Sequence, residues 1–119
     1  YFEEIDFAYK CKKLKKNIFL IPSVNLLHIG QSSVKINSEN DKLKSLREWH
    51  FMWSKFYFYK KNFGFFIALI KTFKDLMISI IKFIIFFLIN RKKSQFYFAR
   101  IEGLFFSIIG KKSFKRLII

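Results

Sequence analysis

The sequence predicts an α/β fold at its N-terminal end, followed by a mostly α-helical, membrane-associated segment. Two short runs, residues 18–21 and 24–29, are continuously apolar, as expected of strands that are covered on both faces. After them the chain becomes aromatic, basic and apolar over stretches long enough for helices. We therefore divide it into residues 1–42, the end of an α/β domain, residues 43–63, an aromatic and basic linking helix, and residues 64–119, hydrophobic and basic membrane-associated helices.

The first predicted element is a helix over residues 3–16. Carboxylates crowd its first turn and lysines crowd its last, a polarity that complements the helix dipole at both ends. Phe7, Cys11 and Leu14 follow one another at i, i+4 and i+7. This spacing predicts an apolar stripe that faces a core.

The next two apolar runs are predicted to be strands. Pro22 ends the first run and Gly30 ends the second. The polar residues from 30 to 42 predict a loop. The order of helix, strand, short strand and loop is typical of the end of an α/β layer.

The second half is predicted to form helices at residues 43–62, 65–89 and 96–109, with Gly64 separating the first two. The first of these helices carries several aromatic residues among its lysines. They suit either a membrane interface or a face packed against another domain, and they include Trp49, Trp53, Tyr57 and Tyr59.

Composition excludes disorder for most of the chain and limits the classes of possible binding partner. Hydrophobic residues make up 52% and aromatic residues 21%, while 23 Lys and Arg against 8 Asp and Glu give a net charge of +15. Such a charge attracts nucleic acid, anionic lipid or phosphorylated substrates. Because the charges flank and interrupt apolar runs, an anionic membrane surface is favoured. The aromatic residues lie mostly in Ile-rich runs without a recognition motif, so nucleic acid is not predicted as a partner.

The stretch Gly64–Ile89 is long enough to cross a bilayer, but its charges oppose insertion. On an insertion scale, the Ile, Leu and Phe residues between Ile70 and Ile89 contribute roughly −4 to −8 kcal/mol. Lys74, Asp75 and Lys82 cost roughly +7 to +10 kcal/mol before snorkelling and pairing. With Lys71 they share one helix face, which favours an in-plane or shallowly inserted helix over a single transmembrane span. A helix packed inside a larger soluble assembly is the third alternative.

The basic residues after this stretch and at the end of the chain predict the side of the membrane. Lys and Arg next to apolar helices favour the cytoplasmic leaflet. We therefore expect the chain at the cytoplasmic face of the cell membrane. Cys11 is the only cysteine, so an internal disulfide is excluded.

Two groups of polar residues are candidates for chemistry. Glu3, Glu4 and Asp6 place three carboxylates at a helix N-terminus, which suits general-base catalysis or the approach of a metal. The alternative is simple capping of the helix. His28 ends an apolar run and is followed by Gly30 and a polar turn, where α/β sheets bind their ligands. Imidazole suits a divalent metal, and the alternative is a structural histidine.

Together these groups resemble the C-terminal part of the catalytic domain in family 2 glycosyltransferases, particularly those related to rhamnosyltransferases. The similar segments are residues 1–10, 15–22 and 24–33: an acidic Phe-Glu-Glu-x-Asp helix start, a Lys-rich helix followed by a run ending in Pro, and a run ending in His-x-Gly-x-Ser. Residues 47–64 also resemble the region C-terminal to these motifs in such enzymes. The resemblance implies a GT-A, Rossmann-like fold of which this chain is the C-terminal fragment.

The resemblance implies inverting transfer of a hexosyl or rhamnosyl group from a nucleotide-sugar donor. The acceptor would be a glycan or a lipid-linked glycan, as in cell-surface polysaccharide biosynthesis. Glu4 matches the family's catalytic base, although many relatives have Asp there, and Glu3 and Asp6 are neighbours that orient or support it. A divalent cation, Mg²⁺ or Mn²⁺, would neutralise the departing diphosphate.

The same resemblance assigns the donor side of the site. His28 matches the position that completes the metal site, and Gly30, Ser32 and Ser33 match the turn beside the donor diphosphate. Gln31 departs from the pattern, because a second Gly is common there.

The nucleotide-binding strands and the Asp-x-Asp metal motif of the family do not occur in this sequence. We therefore expect an incomplete fragment that is inactive in sugar transfer when isolated. The alternative function is a non-catalytic, membrane-associated basic helical protein in which the carboxylates only cap a helix.

Overall fold

The computed structural model describes residues 2–24 and 40–115, and the regular secondary structure of these residues is entirely helical. Three long helices pack against one another in a bundle, and a short N-terminal helix lies against the C-terminal half of the first long one. In chain order the helices are α1 (Glu3–Lys13), α2 (Asn40–Phe63), α3 (Phe65–Ile89) and α4 (Arg91–Ile108).

The predicted α/β fold is wrong, because no residue of the described ranges lies in a strand. The run Ile18–Ile21 has neither helix nor strand structure, and its side chains are between 59% and 91% exposed. A β-prone run becomes a strand only when a partner strand and a covering layer are present, and the described part of the chain supplies neither. Of the second predicted strand, only Val24 lies within the described residues.

Single residues connect the three long helices. Gly64 joins α2 to α3 with φ at 92°, a backbone conformation that L side chains rarely adopt. Asn90 joins α3 to α4, and its side-chain oxygen accepts a hydrogen bond from the Lys93 amide at 3.0 Å. This cap explains why α4 begins at Arg91, five residues before the start that apolar periodicity predicted.

Helices α1 and α4 end in the same hydrogen-bond pattern. After α4, the amide of Gly110 donates to the Ser107 carbonyl and the amide of Lys111 to the Phe106 carbonyl. The equivalent left-handed position after α1 is Lys15, with φ at 52°. The helix predicted over residues 3–16 is therefore shorter in the structure. It ends at Lys13, because the chain turns there before the last lysines of this segment.

The hydrophobic core lies between α2, α3 and α4. Met52, Phe56, Ala68 and Leu104 are at most 1% exposed. Burying a large apolar side chain contributes about 1.5–3 kcal/mol, so this cluster is a principal source of the bundle's stability. Partly buried apolar side chains pack around it: Phe51, Tyr59, Leu69, Leu76 and Ile108.

Small residues on α4 allow a close approach to α2. Ala99, Gly103 and Ser107 recur every four residues and are buried. A Cβ atom on Gly103 would overlap the carbonyl oxygen of Trp49. One turn further on, the Ser107 hydroxyl donates to the Trp53 carbonyl oxygen at 2.9 Å. Helix α4 therefore contacts the backbone of α2 directly at this point.

An arginine on α4 joins all three long helices. The Arg100 guanidinium pairs with Glu48 of α2, and its Nε donates to the Ser79 hydroxyl of α3 at 3.1 Å. Its Nη2 lies 3.7 Å from the carboxylate of Asp75, which also pairs with Lys55 of α2 at 2.8 Å. The four charged side chains are between 18% and 26% exposed. Asp75 therefore pairs with side chains of α2 and α4 within the bundle, whereas the sequence predicted it on the polar outer face of the helix.

Within residues 2–24 and 40–115, no helix combines the length and the apolar character that crossing a bilayer requires.

Replacing Gly103 with Ala is expected to lower the free energy of unfolding by about 1–3 kcal/mol, because the new methyl group forces α4 away from the Trp49 backbone. Urea denaturation followed by circular dichroism measures the change. Gln95→Ala, at an exposed position of the same helix, is the control and should change the stability by less than about 0.5 kcal/mol. Ala has a higher intrinsic helix propensity than Gly. A Gly103→Ala variant that is more stable than the original protein would therefore contradict the close approach of α4 to the Trp49 backbone.

Replacing Arg100 with Met is expected to lower the free energy of unfolding by about 1–3 kcal/mol, because Glu48 and Asp75 keep partly buried carboxylates with fewer partners. Arg91→Met, at the exposed start of α4, is the matched control. Adding Glu48→Gln to Arg100→Met should cost less than the sum of the two single changes. Strict additivity would show that the two side chains do not interact.

Candidate functional site

Two of the α1 carboxylates, Glu3 and Asp6, border a cleft between α1 and α2. The cleft holds about 200 Å³. It combines carboxylates, a lysine and aromatic rings, and its principal lining residues are Phe2, Glu3, Asp6, Trp53, Tyr57 and Lys61.

Aromatic contacts hold α1 against α2. The Phe2 ring lies 5.6 Å from the rings of Phe51 and Phe58. Near the other end of α1, the Tyr9 ring lies 5.1 Å from Phe63 and meets Phe58 edge-on at 5.9 Å. No residue of α1 is buried. The orientation of the α1 carboxylates therefore depends on these ring contacts and on a polar anchor.

Asp6 is that polar anchor. Its carboxylate accepts hydrogen bonds from Lys61 Nζ at 2.6 Å and from Asn62 Nδ2 at 3.2 Å. Lys10, one turn along α1, lies 3.2 Å away. The hydrogen bond from Lys61, followed by that from Asn62, lowers the pKa of Asp6 from 3.8 to about 2. The same contact with Asp6 raises the pKa of Lys61.

One face of α2 forms the aromatic wall of the cleft. Trp53 and Tyr57 stack with ring centroids 5.0 Å apart and ring planes inclined by 15°. Lys61 comes next at the same four-residue spacing, so the three side chains follow one another along the helix. An aromatic wall beside carboxylates suits a sugar. The apolar face of the sugar ring packs on an aromatic side chain, and the sugar hydroxyls donate hydrogen bonds to the carboxylates.

A second, basic groove of about 490 Å³ adjoins this wall. It shares Trp53, Tyr57 and Lys61 with the cleft, and it adds Lys60 of α2 and two lysines C-terminal to α4, Lys111 and Lys112. Several lysines beside one aromatic wall form a site that favours a phosphate group or another anion.

The chain after α4 is fastened to α2, which fixes one side of the basic groove. Trp53 Nε1 donates to the Lys111 carbonyl oxygen at 2.9 Å. The His50 ring lies 2.9 Å from both the Lys115 carbonyl oxygen, at Nε2, and the Ser113 hydroxyl, at Nδ1. Because a carbonyl only accepts hydrogen bonds, Nε2 is the donor in this arrangement. His50 and Trp53 therefore have a structural role, because they hold the segment after α4 against α2.

The structure brings together only part of the predicted site. Glu3 and Asp6 line the cleft, whereas Glu4 is exposed and does not line it. The remaining predicted site residues lie outside the described residues, and they are His28, Gly30, Ser32 and Ser33.

A divalent cation does not fit the carboxylates that the structure describes. Among residues 2–24 and 40–115, no three His, Cys, Asp or Glu side chains are grouped in a way that could hold a metal ion. Asp6 is already engaged by lysines, which offset its negative charge. We therefore assign no step of a reaction to a metal bound by these residues.

Lys61 and the lysines after α4 were not predicted as site residues. A usable signal was present in α2, where Trp49, Trp53, Tyr57 and Lys61 occur at strict four-residue spacing. No local signal could have indicated the contribution of Lys111, because it reaches the site through a contact between residues 58 positions apart.

Comparison with known proteins identifies no relative. No family model, no curated protein and no solved structure matches the chain. A function for it must therefore be argued from the site geometry and from the resemblance of residues 1–33.

Replacing Lys61 with Met is expected to raise the pKa of Asp6 from about 2 towards 3.8, because Lys61 makes the largest contribution to lowering it. A carboxylate with a lowered pKa stabilises the folded state above its ordinary pKa, and that contribution disappears as the pH falls from 3.8 to about 2. The variant should lose this acid dependence of α1 docking. Side-chain carboxyl NMR shifts recorded against pH measure the pKa directly.

Lys60→Met is the matched control for this titration, because it removes the same charge from the neighbouring position without breaking a contact to Asp6. Its Asp6 pKa should stay near that of the original protein. Equal Asp6 pKa values in the two variants would show that Lys61 does not anchor α1.

Proposed function

We propose that the chain takes part in inverting glycosyl transfer from a nucleotide-sugar donor at the cytoplasmic face of a membrane. The observation that supports this function is the cleft between α1 and α2, where Glu3 and Asp6 lie beside the stacked rings of Trp53 and Tyr57. This arrangement has the apolar surface and the hydrogen-bond acceptors that bind a sugar, and it lies at the segment that resembles the family's catalytic helix.

The acceptor is proposed to be a lipid-linked glycan. Its terminal sugar would enter the cleft, while a phosphate group of its lipid carrier would meet the adjoining lysines. Trp53 and Tyr57 line both sites, and one ligand that extends past these rings would contact both.

Glu4 is the proposed general base. It would take the proton from the acceptor hydroxyl as that oxygen attacks the anomeric carbon of the donor and the nucleoside diphosphate leaves. Glu4 does not line the cleft but is exposed directly after Glu3, so the acceptor hydroxyl that it deprotonates would project from the mouth of the cleft. Glu3 and Asp6 support it, Glu3 by its position at the cleft and Asp6 by anchoring α1.

The donor side belongs to parts of the protein outside the described residues. His28 is the proposed ligand of a divalent cation, and Gly30, Ser32 and Ser33 form the proposed turn beside the donor diphosphate. These assignments rest on the resemblance of the sequence alone.

A second candidate function is that of a non-catalytic, membrane-associated protein. Two observations favour it: apolar side chains on the outward side of α3 are exposed, and Asp6 pairs with Lys61 and thereby anchors α1. In that case Glu3 and Glu4 only complement the dipole of α1. Loss or retention of activity on changing Glu4 distinguishes the two functions.

Replacing Glu4 with Gln is expected to lower the rate of sugar transfer by at least about 100-fold, because the amide cannot accept the acceptor's proton. The measurement uses the full-length protein, with membranes as the source of the acceptor and labelled nucleotide sugars as donors. Glu3→Gln, in the cleft but not the proposed base, should have a smaller effect.

Asp41→Asn is the matched control for these variants. It removes a carboxylate from the first turn of another helix, where Asp41 pairs with Lys92 at 3.0 Å. Transfer should proceed at nearly the original rate. Full activity of the Glu4→Gln protein would exclude Glu4 as the base, and it would favour the non-catalytic function if Glu3→Gln is also fully active.

A further inference from the structure

The outward side of α3 carries an apolar stripe that no other helix among residues 2–24 and 40–115 covers. Six residues form this stripe, which we call the α3 outer face. They are between 56% and 88% exposed, and their positions fall within about one quarter of the helix circumference at 100° per residue. They are Phe66, Ile70, Phe73, Ile81, Ile84 and Leu88.

Lysines lie along one side of this face. Lys71, Lys74 and Lys82 are all exposed. Neither Lys71 nor Lys74 forms an ion pair with any residue of the described ranges. Lys82 extends over the Tyr97 ring at 5.4 Å. Long lysine side chains can keep their charge in water while the neighbouring apolar residues are buried.

An apolar groove extends the α3 outer face towards α4. It holds about 240 Å³. Ile70 and Phe73 of the outer face line it together with Leu104 and Ile108 of α4. Nearly all of its lining is hydrocarbon or aromatic, which suits an acyl chain more than a polar ligand.

We propose that the α3 outer face docks on an anionic phospholipid bilayer, with α3 lying in the plane of the membrane. The stripe from Phe66 to Leu88 is about 33 Å long at the helical rise of 1.5 Å per residue. Its apolar side would enter the region between headgroups and acyl chains, while Lys71, Lys74 and Lys82 contact lipid phosphates. This docking rests on the membrane attachment in the proposed function but is independent of sugar transfer.

Charge complementarity selects a bilayer over a second copy of the chain. The chain carries +15, and lysines border the stripe of every copy, so two copies repel each other when their stripes approach. An anionic membrane attracts the same lysines. A helix with an apolar stripe and lysines on its polar side is typical of segments that bind membrane surfaces.

The first test measures co-sedimentation of the chain with vesicles of phosphatidylcholine containing phosphatidylglycerol. The double variant Phe66→Ser/Ile84→Ser removes two side chains of the stripe that are exposed in the structure, so the fold should be retained. It should bind these vesicles at least about tenfold more weakly. Leu20→Ser, a change of the same kind at a residue 91% exposed outside α3, is the control and should bind as the original chain does.

The second test separates the position of the lysines from the total charge. Two double variants lower the net charge equally, because each replaces two exposed lysines: Lys71→Glu/Lys74→Glu on α3 and Lys12→Glu/Lys16→Glu near the N-terminus. Each lysine at an anionic surface contributes about fivefold to binding, so the α3 pair should weaken binding more than about 20-fold. The pair at Lys12 and Lys16 should weaken it much less.

Circular dichroism confirms that each variant keeps its helices before binding is measured. Equal loss in both lysine pairs would overturn the proposal, since attraction would then depend only on net charge. Equal binding to pure phosphatidylcholine vesicles, or no binding to either composition, would also overturn it. A dimer of the chain in solution that Phe66→Ser/Ile84→Ser dissociates would assign the face to self-association instead. Vesicle binding is read without activity, so its failure leaves the test of Glu4 unaffected.

Discussion

The contact between α4 and the backbone of α2 at Gly103 determines how the bundle is assembled. Without a side chain at this position, α4 can approach Trp49 closely enough for Ser107 to bond the Trp53 carbonyl. The same approach brings Arg100, less than one turn earlier, within reach of Glu48. Apolar packing supplies most of the stability, but this contact selects which faces of the helices meet.

The candidate site inherits its geometry from this arrangement. The chain leaves α4 at Gly110 and returns across α2, where Trp53 and His50 hold it. Lys111 is thereby placed beside the aromatic wall, next to Lys61. A change in the distance between α2 and α4 would separate the basic groove from the cleft even if every lining residue were retained.

The sequence predicted the long helices well and the fold class badly, and the reason is physical. Helical periodicity is a local property, so the bounds predicted for α3 were correct, whereas α2 begins three residues earlier and ends one residue later than predicted. A strand depends on a partner, so the apolar run Ile18–Ile21 was misleading when read alone. In the site, the α1 carboxylates were recognised because they are adjacent in sequence. Lys61 was missed because its role depends on docking to Asp6, 55 residues away.

Helix α1 buries no residue, and the contacts that hold it against the bundle include ring contacts and the Asp6 carboxylate. In thermodynamic terms we expect it to open as a separate cooperative unit, because this opening exposes little apolar surface and therefore costs less than global unfolding. The carboxylates at its start would then belong to the helix that opens most readily within residues 2–24 and 40–115. Their positions are governed by a local opening equilibrium, and any ligand that bridges α1 and α2 shifts that equilibrium towards the closed state by mass action.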